Sequence, residues 1–82
     1  MRQVDVLMFA AARQVASTDV LRVELDWPAT ADEVLGAIGR RCPQLVPLLP
    51  ACRLAVDQRF ASPDELVPDG TELALIPPVS GG

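Results

Sequence analysis

The stretch Leu21-Arg22-Val23-Glu24-Leu25-Asp26-Trp27-Pro28-Ala29-Thr30-Ala31-Asp32-Glu33-Val34-Leu35 decides the fold. In its first half Leu21, Val23, Leu25 and Trp27 alternate with Arg22, Glu24 and Asp26, the period-two pattern of a strand with one buried face. Pro28 stops that strand, and the period changes. Thr30 and Glu33 have capping-box spacing, in which each side chain satisfies an orphan backbone N–H at a helix start. Val34, Leu35, Ile38 and Cys42 follow at helical spacing as one apolar stripe, and Pro43 ends the helix. A half-buried strand feeding an amphipathic helix predicts a sheet with that helix laid across one face.

Toward the N-terminus, Val4, Val6 and Met8 form one apolar face of a first strand. Leu7 and Phe9 make its other face apolar too, so this strand is expected to be central and covered on both sides. Ala10 to Ala16 reads as a short Ala-rich turn of helical character. In the other direction Pro47 and Pro50 mark an irregular connection. Leu54 and Val56 then indicate a third strand, and Arg59 to Ala61 a short fourth one after a turn at Asp57-Gln58. Pro68-Asp69-Gly70 is a turn signal. Leu73 to Ile76 make the last strand, apolar on both faces and expected beside the first. Gly36 and Gly39 lie inside the helix. A phosphate- or RNA-binding loop would use such a pair, but a helix packed close to a sheet accounts for it more simply. The order strand, strand, helix, strand, short strand, strand fits an α+β β-grasp, the ubiquitin-like architecture, with a mixed sheet and one main helix on one face. The β-grasp domain is expected over residues 1–76 and a flexible tail over 77–82.

Eighty-two residues make one domain. The net charge of −4 argues against nucleic acid, whose binders gain affinity from Lys and Arg that neutralise phosphates. All seven basic residues are Arg, spread along the chain, and only Arg40 and Arg41 are adjacent, where they suit a helix C-terminus. Asp5 interrupts the apolar run before Ala10-Ala11-Ala12, which spoils a signal peptide. No stretch approaches the roughly 18 apolar residues of a membrane span, so a cytoplasmic address is expected. Cys42 and Cys52, with no His in the chain, match no zinc motif and supply no Cys–His nucleophile. No metal site is therefore expected, and both cysteines read as small core or half-buried residues. The acids Asp64, Glu65, Asp69 and Glu72 are dense enough to hold Mg²⁺ but read better as a solvated rim. With no His, Tyr or Lys, nothing titrates near neutral pH or offers a Schiff-base amine. This composition does not suit an enzyme working alone.

The end of the sequence is different. Pro77-Pro78-Val79-Ser80-Gly81-Gly82 follows a strand that should be buried. Prolines hold the exit extended and cannot donate to a ladder. Six residues reach at most about 20 Å, and Gly81 and Gly82, lacking Cβ, can enter a narrow slot. A frayed terminus is the plain alternative. Gly-Gly directly after a last β-grasp strand makes the Gly82 carboxylate the candidate working group.

This ending resembles the tail of the MoaD/ThiS sulfur carriers, which are ubiquitin-like in fold and end in Gly-Gly. Leu7-Met8-Phe9-Ala10-Ala11-Ala12-Arg13 is similar to the first strand and turn of one branch, the small subunits of molybdopterin synthase. Pro68-Asp69-Gly70-Thr71-Glu72 is similar to that branch's turn before the last strand. Asp57 stands where the family often has Asn, and Gln14 follows Arg13 where an acid is usual. The resemblance implies a cycle. An E1-like adenylating enzyme uses ATP to make the Gly82 adenylate, and a persulfide sulfur donor converts it to a thiocarboxylate. The tail, Pro77, Pro78, Val79, Ser80 and Gly81 leading to Gly82, then inserts into the large subunit of a heterotetrameric molybdopterin synthase. There sulfur passes to cyclic pyranopterin monophosphate. This chain would bind no cofactor itself, would contact neither nucleic acid nor membrane, and would leave the catalytic groups to the large subunit. Phe9 and Ile76, on strands expected side by side, form the candidate partner surface with Arg13 at its rim; core placement is the alternative. The rival functions are a carrier for thiamine thiazole, cysteine or tRNA thiolation, a ubiquitin-like protein modifier, and a binding module with an unused tail.

Overall fold

The computed structural model describes residues 1–78. The elements run β1 (Arg2–Met8), α1 (Ala10–Ala16), β2 (Val20–Leu25), α2 (Ala31–Arg41), two 3₁₀ turns (Pro43–Leu45 and Leu49–Ala51), β3 (Arg53–Val56), β4 (Arg59–Phe60) and β5 (Leu73–Ile76). The five strands form one sheet in the order β2-β1-β5-β3-β4, with β1 and β5 parallel and the other pairs antiparallel. This is the β-grasp arrangement that the order of elements predicts.

The strand-to-helix stretch folds as its two periods require. Leu21, Val23 and Leu25 are buried, whereas Val20, Arg22 and Glu24 are exposed. The capping box is complete at the start of α2. Thr30 Oγ1 accepts the Glu33 N–H at 3.2 Å, and Glu33 Oε1 accepts the Thr30 N–H at 2.8 Å. The next two orphan donors go to a neighbouring loop, from the Ala31 N–H to the Glu65 carbonyl and from the Asp32 N–H to the Pro63 carbonyl, both at 2.9 Å. Thr30→Ala removes one acceptor and should lower unfolding free energy by about 1 kcal/mol, measured by chemical denaturation. Unchanged stability would mean the cap carries no energy.

Val34 and Ile38 on α2 pack, fully buried, onto Val6, Val23, Leu54 and Leu75 of the sheet. Leu45, from the first 3₁₀ turn, closes one end of this core. Asp57 (φ 49°) and Gln58 (φ 67°) make the two-residue turn between β3 and β4, the left-handed pair that matches strand twist in a hairpin. Gly70 (φ 74°) turns the chain into β5.

Two expectations need correction. β1 is internal in the sheet, but nothing among the described residues covers its second face: Leu7 is half-buried and Phe9 is 46% exposed. Gly39 does not serve contact with the sheet. A Cβ there would lie 3.0 Å from Leu49 and 3.3 Å from Val46, so it admits the connection after the helix. Pro77 is buried and Pro78 exposed; the rest of the tail expected over 77–82 lies outside the described residues.

Candidate functional site

Strand register defines the sheet face opposite α2. Leu7 pairs with Val20 on one side and with Ala74 on the other; Ala74 pairs with Ala55, and Ala55 with Phe60. Paired residues point to the same face. One apolar residue from each strand therefore forms a row across the whole sheet. Its ends are open, Val20 at 42% and Phe60 at 47% exposed, while its two alanines are buried between their neighbours.

On one side of this row the face is polar. Asp5 lies opposite Arg22 and Gln3 opposite Glu24. Arg22 donates from Nε to Asp5 Oδ1 at 2.9 Å, and Gln3 Nε2 donates to Glu24 at 3.3 Å. On the other side lies Ile76, paired with Arg53, whose guanidinium sits over the Phe60 ring at 4.3 Å. Phe9 keeps extended backbone (φ −125°, ψ 152°) one step beyond the Met8–Leu75 pair, and so continues the alternation next to Ile76. The face grades from polar to apolar toward the ends of β1 and β5, where the chain leaves the sheet at Pro78. An exposed apolar sheet face makes this the candidate interaction surface.

The structure brings Phe9 and Ile76 together at this edge and places neither in the core. Arg13 is exposed on α1. Its backbone N–H donates to the Phe9 carbonyl at 3.3 Å, and its side chain pairs with Asp19 at 3.2 Å. Val20, Ala55, Phe60 and Ala74 escaped the sequence reading. Their signal was present as apolar residues on strand positions facing away from α2, but only the register aligns them. Val79, Ser80, Gly81 and Gly82 lie outside the described residues.

The titratable groups act structurally. Arg22 holds the Asp5 carboxyl below its ordinary value, the Thr30 backbone N–H does the same for Glu33, and Arg59 for Glu65. Burial raises the Cys52 thiol, so it stays protonated at neutral pH. Glu65 is engaged by Arg59 and Asp69 by Arg2. Among the described residues no group of three or more His, Cys, Asp and Glu could hold a metal ion, and no helix is long and apolar enough to cross a membrane. Carboxyls with depressed values bind protons more readily in the unfolded chain, so their contribution is present above their ordinary values of 3.8 and 4.5 and is lost as pH falls through the lower folded values. The denaturation midpoint should hold from pH ~7 to ~5 and drop below pH ~4. A drop that is complete above pH ~5 would contradict this assignment.

A mixed five-stranded sheet with one main helix across one face, in the order β2-β1-β5-β3-β4, defines a ubiquitin-like β-grasp protein. The ThiS family model matches residues 6–82, and the chain belongs to that family. It is 37% identical over 82 residues to the molybdopterin synthase sulfur carrier subunit of Chlamydomonas reinhardtii, covering 98% of this chain and 99% of that protein. Among solved structures it resembles the small archaeal modifier protein SAMP1 of Haloferax volcanii, with TM-score 0.82, 29% identity and coverage of 99% and 100%. It also shares its fold with one chain of a protein–protein complex of subunits 1 and 2 of molybdopterin-converting factor from Helicobacter pylori, with TM-score 0.64, 23% identity and coverage of 99% of this chain and 100% of that one.

Proposed function

We infer that this chain is the sulfur carrier subunit of a molybdopterin synthase and works in molybdenum cofactor biosynthesis. The near full-length similarity to the Chlamydomonas carrier subunit supports the role most directly. Gly82 supplies the working carboxylate. Such a group has a pKa of about 3.3–3.7, is ionised at neutral pH and is a poor electrophile. An E1-like enzyme removes the charge by adenylation, with release of pyrophosphate from ATP. A persulfide donor then adds sulfur at the carbonyl carbon, AMP leaves, and reductive cleavage of the S–S bond by a thiol frees the thiocarboxylate. In the large subunit the sulfur passes to cyclic pyranopterin monophosphate, and hydrolysis returns the carboxylate.

The apolar row and the Phe9–Ile76 edge dock the body, and the five residues from Pro78 to Gly82 can reach at most about 17 Å toward the partner's reacting groups. Pairing with a large subunit is supported by the two-subunit Helicobacter complex, one chain of which has this fold, and the cytoplasm is the compartment assigned. The likeness to SAMP1 favours a second reading, a protein modifier joined to lysines. One experiment separates the two: chain carrying the thiocarboxylate is incubated with the large subunit and the pterin precursor. Formation of the dithiolene supports the carrier. An inert mixture, together with Gly-Gly remnants on lysines of cellular proteins, would establish the modifier.

A further inference from the structure

We propose that β2 is a self-association edge, on which a second copy of this chain adds its own β2 antiparallel about a two-fold axis through Val23. β2 ends the sheet, and no described strand pairs with its outer side. Exposed edges are usually blunted by charged side chains, Lys above all, by Pro or by a bulge; the six residues Val20–Leu25 contain neither Lys nor Pro. What they carry instead is one exposed charge of each sign, Arg22 and Glu24, two residues apart on the same face.

That spacing selects one register. With the axis at Val23, Arg22 of each copy lies opposite Glu24 of the other, and both symmetric pairs are attractive. Moving the axis to Arg22 sets two arginines against each other, and moving it to Glu24 sets two glutamates. Like charges directly opposite are destabilising in a sheet. The Asp5–Arg22 and Gln3–Glu24 contacts already present would extend the Val23-centred pairs into a continuous polar row across four strands, β1 and β2 of each copy.

The helix side gives an independent argument. The short link from β2 to α2 sends the helix back along the strand. A groove at the edge of β2 is lined by Arg22, Arg40 and Arg41 together with Glu24, and a second one by Asp26, Asp32 and Glu33 together with Arg40, so the first is net basic and the second net acidic. A two-fold axis at mid-strand lays the basic end of one copy along the acidic end of the other. An isologous interface requires this self-complementarity. The exit after β5 lies two strands inward, so this pairing leaves it open.

The test is sedimentation of the full chain over a concentration series at low salt, with circular dichroism to confirm folding. The wild type should show a monomer–dimer equilibrium. Glu24→Arg and Arg22→Glu should each weaken it about tenfold or more, because both symmetric pairs become repulsive. The double variant Arg22→Glu/Glu24→Arg should return to within about threefold of wild type, since its pairs are attractive again with reversed polarity. A monomer at every concentration, a dimer insensitive to the single swaps, or a double swap as weak as the singles would overturn the proposal. So would a dimer broken by Phe60→Asp but not by Glu24→Arg, which would place the contact on the apolar face instead.

Discussion

Chain lacking Gly82, or carrying one residue after it, is expected to lose adenylation and sulfur transfer by at least about a hundredfold while its thermal unfolding stays unchanged. The stability half follows from the fold. The buried core and every paired strand residue lie at or before Pro77, so a change at residue 82 touches no described packing or ladder bond. The activity half follows from reach. The reacting carbon must come within about 3–3.5 Å of its nucleophile, and misplacement by about 1 Å already costs on the order of a hundredfold. Deleting one residue withdraws that carbon by about 3.3–3.6 Å. An appended residue presents the wrong atom and carries the carboxylate past the catalytic groups. Gly81→Val should fail differently: its reach is intact, but a branched side chain blocks a slot that only glycine enters. ATP–pyrophosphate exchange with the cognate activating enzyme measures the first step, and transfer to the pterin precursor measures the last.

Aspartate at the apolar edge should be nearly as damaging, by another route. Phe9 and Phe60 are about half exposed, so replacing either sacrifices modest burial within the chain. Phe9→Asp and Phe60→Asp should therefore fold. Each would set a carboxylate in the apolar region that a partner must desolvate, and an unpaired charge there is costly. Aromatic anchors at interface centres are worth about 2–4 kcal/mol, so binding to the large subunit should weaken at least about 30-fold. Arg22→Ala, in the polar part of the same face, should change that affinity far less. Equal losses at Phe60 and Arg22 would mean that the apolar gradient does not organise docking.

These effects were unequally visible in the sequence. The β2–α2 stretch was legible because its information is local: a period of two, then a proline, then Thr30 and Glu33 at cap spacing. The Asp57-Gln58 and Asp69-Gly70 turns were legible for the same reason. Leu7 and Phe9 on β1, and the unbroken apolar run from Leu73 to Ile76, made both strands apolar on two faces, and this correctly made them neighbours. Alternation cannot say what covers a face, however, so β1 was expected to be covered on both sides, whereas among the described residues its second face is open. Gly39 was misassigned by a similar gap. Its spacing from Gly36 suggested contact with the sheet, whereas the contact is with Val46 and Leu49 in an irregular connection that has no periodicity to read. The Arg59–Glu65 and Arg2–Asp69 pairs depend on chain reversals and left no trace in composition. The candidate working residue was the reverse case, named by the final dipeptide and its place after the last strand.

The most direct test of the carrier assignment is the intact mass of this protein purified from its own cells under sulfur-replete conditions, followed by fragmentation of the C-terminal peptide. The account predicts a population in which one oxygen is replaced by sulfur, with the exchange confined to Gly82 and absent from cells that lack the activating enzyme. A chain that carries only the carboxylate there, in cells actively making molybdenum cofactor, or sulfur found on Cys42 or Cys52 instead, would contradict it.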